Sequence, residues 1–127
     1  GIGLSRLEAI KYGYKSNLIV DDALECIRYV TRNPASSTVD NFCCGSFGRL
    51  ELLVTASSIL GNEKLLIFSQ KIAEKIIHRK QFSKGYKKSS NEVIDFPGFF
   101  QGLSGILYQI LRITHQKKIP SIALFES

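Results

Sequence analysis

A pair of glycines three residues apart, followed at once by apolar residues, occurs twice in this sequence. The copies are 45–50 (Gly-Ser-Phe-Gly-Arg-Leu) and 102–107 (Gly-Leu-Ser-Gly-Ile-Leu), and residues 1–4 resemble the back half of a third. Glycines at a helix start allow that helix to approach a neighbouring backbone closely. Repeated units of this kind build a solenoid or a closed ring, because one unit cannot bury its apolar face alone.

The spacing of the apolar residues predicts an all-α fold with five principal helices. They are expected at 4–12, from a start within 17–22 to the break at 33–37, from Gly48 to about Leu60, from Asn62 to His78, and from Leu103 to about His115. Asp21 or Asp22 is the predicted cap of the second helix. Gly61 is the predicted C-terminal stop of the third helix. Helices before Leu65 and after Gly102 are predicted to be inner, and the lysine-rich helix over 64–80 to be outer. This alternation predicts a layered α/α arrangement.

The charge and the cysteine usage limit the partners and the compartment. The formal net charge is +6, and the basic residues cluster between Lys64 and Lys88. Only Phe82 and Tyr86 offer rings for base stacking there, so we interpret the cluster as a solvated helix face and predict no nucleic-acid partner. No apolar run is long enough to cross a bilayer. Free cysteines without extracellular spacing, and no signal-peptide pattern at 1–6, predict a reducing, cytoplasmic location.

Cys43 and Cys44 stand directly before the first glycine pair. They are predicted to reach the first turn of a helix, where backbone N–H groups and the helix dipole favour thiolate. Adjacent cysteines do not easily form a disulfide with each other, so one interpretation is two ligands of a soft metal, zinc above all. The other interpretation is two small core side chains. Cys26 is interpreted as a packed helix residue, and His78 and His115 as cations near helix C-termini.

Three segments also carry a family resemblance. Residues 1–7 (Gly-Ile-Gly-Leu-Ser-Arg-Leu) resemble the tail of a Trp-Cys-His-Gly-Ala-Pro-Gly-Ile-Gly-Leu motif, and Cys43-Cys44-Gly45 resembles a Cys-His-Gly motif. Residues 97–108 together with 119–126 resemble a closing segment. All three belong to the lanthionine synthetase C-like family, and the chain is most similar to the cyclase half of class II lanthipeptide synthetases. Since full domains of that family are far longer, residues 1–127 are expected to be a C-terminal fragment of such a domain.

The resemblance implies an α/α toroid around a zinc ion, of which this chain is the C-terminal portion. Such enzymes add a cysteine thiol of a precursor peptide to dehydroalanine or dehydrobutyrine, forming the thioether rings of lanthipeptides in the bacterial cytoplasm. Zinc lowers the pKa of the substrate thiol. Carried over by position, Cys43 and Cys44 are zinc ligands, although most members have histidine at the second position. The resemblance also implies that the third zinc ligand and the acid–base residues precede Gly1. A class II protein would carry a dehydratase domain as well. The isolated chain is therefore expected to be inactive.

Two other function classes compete with the zinc-dependent cyclase. One is a non-catalytic, peptide-binding relative on the same toroid. The other is an unrelated α/α-barrel enzyme such as a glycosidase, which needs paired catalytic carboxylates. The candidates are Asp40, interpreted as a helix cap, Glu51, interpreted as an ordinary helix residue, and Asp95 in the loop before the last helix. These interpretations disfavour the glycosidase.

Overall fold

The computed structural model describes residues 1–124, except for the side chain of Ser83. Its helices are α1 Ile2–Lys11, α2 Asn17–Arg32, α3 Ser46–Leu60, α4 Glu63–Ser83 and α5 Leu103–Thr114, followed by a 3₁₀ turn at Ile122–Leu124. Within residues 1–124 the one β feature is an isolated bridge between Lys87 and Val93. The predicted all-α class is therefore confirmed. Phe125 and Glu126, which belong to the closing segment of the resemblance, lie outside the described residues.

The helices form two layers. α1, α3 and α5 pack side by side in that order, while α2 packs across α1 and α3, and α4 packs across α3 and α5. The central helix α3 therefore contacts all four other helices, and every residue from Leu50 to Ser57 is buried. The two inner helices that open at glycine pairs, α3 and α5, contact each other directly. Inner and outer helices that alternate along the chain are what a segment of an α/α toroid requires.

α2 lies in the outer layer, and its prediction as an inner helix is wrong. It buries a single face, made of Ala23, Ile27 and Val30. Leu24 and Tyr29 point away from that face and are exposed. A helix with one apolar stripe packs against a layer, whereas an inner helix needs apolar residues on most sides.

The N-terminal cap of α2 also differs from the prediction. The hydroxyl of Ser16 accepts a hydrogen bond from the Ile19 N–H at 3.4 Å, so Ser16 is the cap, not Asp21 or Asp22. Both aspartates lie inside the helix, and Asp22 pairs with Arg6 of α1 at 2.9 Å. Residues 18–20 (Leu-Ile-Val) already belong to the helix, so the two aspartates lie too far along it to serve as its cap.

Gly61 and Asn62 connect α3 to α4, and only Gly61 has the capping role expected of it. Gly61 closes α3 with φ +64°, as predicted, because glycine adopts the left-handed region without a Cβ clash. Asn62 occupies the N-cap position of α4 but makes no side-chain cap hydrogen bond.

α4 continues past His78 to Ser83 because residues 78–83 contain no glycine or proline. The predicted end of this helix at His78 is therefore wrong.

The two glycine pairs have the same role, as the repeat predicted. Gly45 and Gly102 are the N-caps of α3 and α5. A Cβ on the second glycine of either pair would overlap a backbone carbonyl oxygen of the loop before that helix. The overlapping pairs are Gly48 with Phe42, and Gly105 with Phe99.

A buried ion pair joins α3 to α5. Nε of Arg112 lies 3.0 Å from both carboxylate oxygens of Glu51, and the two side chains are 4% and 1% exposed. The hydroxyls of Thr55 and Ser121 donate to the same carboxylate at 3.1 and 2.5 Å. Glu51 is thus a helix residue, as predicted, but its carboxylate is committed to holding the inner layer and the C-terminal segment together.

Candidate metal centre

Cys43 and Cys44 lie in the turn that ends at Gly45, the N-cap of α3. Both side chains are exposed, so the interpretation as two core cysteines is wrong. The thiols stand just before the helix, not in its first turn as predicted. They remain next to its N-terminal N–H groups, which carry the positive end of the helix dipole.

Two neighbouring groups hold this turn in place. The N–H of Cys43 donates to the carbonyl of Phe100, in the loop before α5, at 2.8 Å. Oδ1 of Asn41 accepts the N–H groups of Cys44 and Gly45, each at 3.0 Å, and the Cys44 thiol at 3.5 Å. The position of the two thiols therefore depends on an amide side chain and on the α5 loop. Sequence analysis missed Asn41, although an asparagine shortly before a helix-start glycine is a recognised turn former.

Asp40 anchors the turn to the outer layer. It is 1% exposed, and its Oδ1 receives a guanidinium N–H of Arg79 at 2.5 Å and the hydroxyl of Ser46 at 3.0 Å. Its Oδ2 accepts the Lys87 N–H at 2.8 Å. The prediction of Asp40 as a helix cap is wrong, since Gly45 is the N-cap of α3 and the Asp40 carboxylate bonds to Arg79, Ser46 and Lys87 instead. Because Asp40 and Glu51 are both committed to buried ion pairs, neither suits a glycosidase acid or base.

The pKa of the Cys43 thiol lies above its usual value. Partial burial is the largest cause, followed by the charge of Cys44 and a hydrogen bond between the two thiols, while the amino group of Gly1 acts in the opposite direction. Burial and the neighbouring Cys44 thus act against the predicted preference of the helix start for thiolate at Cys43. A soft cation that binds there would displace the thiol proton.

A cavity of about 430 Å³ opens beside the thiols. It lies between the starts of α1 and α3 and one face of α2, and its lining includes Gly1, Cys26, Cys43 and Cys44. Cys26 is partly buried and packs against Gly3 of α1, where an added Cβ would come within 2.8 Å of it. Its packed position agrees with the prediction, but it faces the same cavity as the thiol pair.

The donor chemistry of the pair fits part of a zinc site. Two neighbouring, exposed thiols are soft donors of the kind that zinc prefers. Across the part of the chain that the structure describes, no three Cys, His, Asp or Glu side chains come close enough to hold a metal ion. Both histidines are exposed, and Nδ1 of His115 lies 2.9 Å from the Thr114 hydroxyl. The described residues thus could supply two of the donors that a zinc site needs, and not the whole set.

An aromatic cluster borders the turn on the α5 side. The ring of Phe42 meets Phe99 at a centroid distance of 5.4 Å and Tyr108 at 5.7 Å, both edge-on. Phe100 packs on Phe99 at 5.4 Å and remains 59% exposed. These contacts stiffen the two loops that meet at Cys43.

Several cations of the basic cluster have partners within the chain. Arg79 pairs with Asp40, Nζ of Lys87 donates to the Ser37 carbonyl at 2.9 Å, and Nζ of Lys80 lies 4.8 Å from the ring centroid of Tyr86. These contacts support the interpretation of the cluster as part of the fold and its solvated surface. Among the helices of residues 1–124, each is too short or too polar to serve as a membrane span.

Comparison with known proteins gives one match. A family model described as lanthionine synthetase C-like protein matches residues 1–124. Neither a curated protein nor a solved structure matches the chain. The match covers both glycine pairs and the Cys43–Cys44 turn.

Proposed function

This chain belongs to the lanthionine synthetase C-like family, and on that premise we propose that it is the C-terminal part of a zinc-dependent cyclase domain. The proposed reaction adds a cysteine thiol of a precursor peptide to dehydroalanine or dehydrobutyrine, which forms a thioether ring. The observation that carries this proposal is the pair of exposed, adjacent thiols of Cys43 and Cys44 beside a cavity. A class II arrangement with a dehydratase domain, and a bacterial cytoplasmic location, belong to the same proposal.

Cys43 and Cys44 would hold the metal. A bound zinc supplies Lewis acidity, which lowers the pKa of a substrate thiol so that it reacts as thiolate at neutral pH. The Phe100 carbonyl fixes the backbone of Cys43, and Asn41 fixes that of Cys44, so the two sulfurs are presented together. Both sulfurs would have to lose their protons for this role, and the positive charge of a metal ion would offset the partial burial and the repulsion from Cys44 that raise the pKa of Cys43.

The third ligand in this proposal comes from the parent protein, from the segment that leads into Gly1. Gly1 lines the same cavity as Cys43 and Cys44. A cysteine carried by the preceding segment would therefore arrive beside the pair. The acid–base residues of the reaction are proposed to lie further upstream.

We expect the 127-residue chain to bind zinc weakly and to form no rings, because a catalytic zinc site needs a further protein ligand beyond this pair. The parent protein is expected to hold zinc tightly. Zinc titration of both proteins against a chelating competitor measures the difference, and Cys26→Ala is the matched thiol control, expected to change neither affinity. Tight, stoichiometric zinc in the short chain that Cys26→Ala abolishes would show that Cys26 is the third ligand. A parent protein without zinc or ring formation would instead favour the non-catalytic, peptide-binding relative.

In the parent protein we expect Cys44→His to retain zinc and to cyclise roughly tenfold more slowly, or with altered ring selectivity. Exchanging a thiolate for an imidazole removes electron donation from the metal, which leaves a bound substrate thiolate less nucleophilic. Mass spectrometry of ring formation on a dehydrated precursor peptide measures both the rate and the pattern. Cys26→Ser is expected to leave them unchanged. The same rates and products for several rings in Cys44→His would contradict this expectation.

A further inference from the structure

Asn41 is a buried polar residue to which neither the family nor the proposed chemistry assigns a role. It is 7% exposed and stands in the turn that presents the thiols. Its Oδ1 accepts three donors, namely the N–H groups of Cys44 and Gly45 and the thiol of Cys44. A single side-chain oxygen therefore controls both the backbone and the sulfur of Cys44.

The backbone around α3 explains why this oxygen is needed. Gly45, the N-cap, has no side chain with which to satisfy the N–H groups at the helix start. The N–H groups of Ser46 and Phe47 bond instead to the carbonyls of Val39 and Asp40. Among the described residues the N–H of Cys44 has no such backbone acceptor, and Oδ1 of Asn41 receives it. The side chain of Asn41, four residues before Gly45, thus acts as a cap for this turn.

We propose that Asn41 is a positioning residue for Cys44, and that its carbonyl oxygen, not its volume, sets the direction of the Cys44 sulfur toward Cys43. As far as it concerns metal binding, this inference rests on the proposed function. When a soft cation binds, the Cys44 thiol gives its proton to solvent and Oδ1 loses that one donor. The two N–H bonds from Cys44 and Gly45 remain, so the turn keeps its shape in both states.

The test compares two replacements of similar size in the 127-residue chain. Asn41→Asp keeps an oxygen acceptor at the position of Oδ1, and Asn41→Leu removes it. Asn62→Leu is the matched control, because Asn62 is exposed and its side chain makes no cap hydrogen bond. Amide hydrogen exchange at Cys44 and Gly45, followed by NMR, reports on the acceptor directly and needs no metal.

We expect slow exchange of the Cys44 amide in the unmodified chain and in Asn41→Asp, and exchange about tenfold faster in Asn41→Leu, as the loss of a hydrogen bond predicts. The Gly45 amide also donates to the backbone carbonyl of Asn41 at 3.2 Å, so its exchange should change less in Asn41→Leu. The second readout is titration with Cd²⁺ alone, followed by thiolate-to-metal absorption in the ultraviolet. Asn41→Leu should bind Cd²⁺ about 10-fold to 100-fold more weakly, Asn41→Asp more tightly than Asn41→Leu, and Asn62→Leu as the unmodified chain does.

Each outcome decides one question. An unprotected Cys44 amide in the unmodified chain overturns the inference without any variant, even if Asn41→Leu fails to fold. Equal exchange and Cd²⁺ affinity in the unmodified chain and a folded Asn41→Leu overturn it as well. An unmodified chain with protected amides that takes up no Cd²⁺ counts against metal binding by this pair, and leaves the role of the Asn41 oxygen established by exchange.

Discussion

Arg112→Met is expected to lower the free energy of unfolding by about 3–5 kcal/mol, because it leaves the carboxylate of Glu51 buried without a countercharge. Glu51 is 1% exposed and bonds to Nε of Arg112 through both oxygens. The remaining donors, the hydroxyls of Thr55 and Ser121, are neutral and cannot replace a guanidinium. Since domains of this size are stable by about 5–15 kcal/mol in total, the loss is a large share. Urea denaturation followed by circular dichroism measures it.

The exposed pair of Arg28 and Glu25 is the matched control. Its side chains are 54% and 66% exposed, so Arg28→Met should cost about 1 kcal/mol or less. The double replacement Glu51→Met with Arg112→Met should cost less than the sum of the single ones, because no isolated charge is left behind. If Arg112→Met and Arg28→Met destabilised the chain equally, the buried pair would not have the role assigned to it here.

Gly105→Ala is expected to destabilise the chain by roughly 3 kcal/mol, the upper part of the usual range for overpacking. A Cβ at this position would overlap the carbonyl oxygen of Phe99 and lie 2.9 Å from the Cβ of Phe42. Backbone cannot yield as a flexible side chain does, so the loop beside Cys43 must move. Helix propensity acts in the opposite direction and favours alanine by about 1 kcal/mol within a helix. The sign of the measured change in unfolding free energy therefore shows which effect is larger.

Gly61→Ala separates backbone strain from steric overlap. Gly61 has φ +64°, and no atom lies within 4 Å of a Cβ built on it. Alanine there is expected to lower the free energy of unfolding by about 1–2 kcal/mol through the left-handed backbone alone. Gly48→Ala should resemble Gly105→Ala, because its Cβ would overlap the carbonyl oxygen of Phe42. A stabilised Gly105→Ala protein would mean that the close approach of α5 to the preceding loop does not exist in solution.

Local sequence patterns predicted the helices well where the glycines at helix ends and the spacing of apolar residues indicate the same boundary. Gly61 stops α3 as expected, and the glycine pairs at 45–48 and 102–105 open the two inner helices. The errors lie at helix ends where several residues could act as a cap or a stop. Ser16 caps α2 although Asp21 and Asp22 are also good capping residues, and α4 runs past His78 because residues 79–83 contain no glycine or proline.

The candidate site was predicted in part. Cys43 and Cys44 were identified from their order before a glycine pair, and the structure places them together and exposed. Their assignment as zinc ligands stays a prediction. The rise in the pKa of Cys43 was not predicted, because a motif shows the nearby helix start but neither the partial burial of this thiol nor its contact with the Cys44 thiol.

The sequence by itself determined the helical class, the repeated glycine-opened helices and the adjacency of the two thiols, since all three depend on residues close together in the chain. Only the tertiary structure decided that α2 is outer, that Asp40 bonds to Arg79, and that Glu51 meets Arg112. These pairs join residues far apart in sequence, and their partners depend on how whole helices pack. Local periodicity shows that a helix has an apolar face, but the helix that covers this face is selected by the free energy of the complete arrangement.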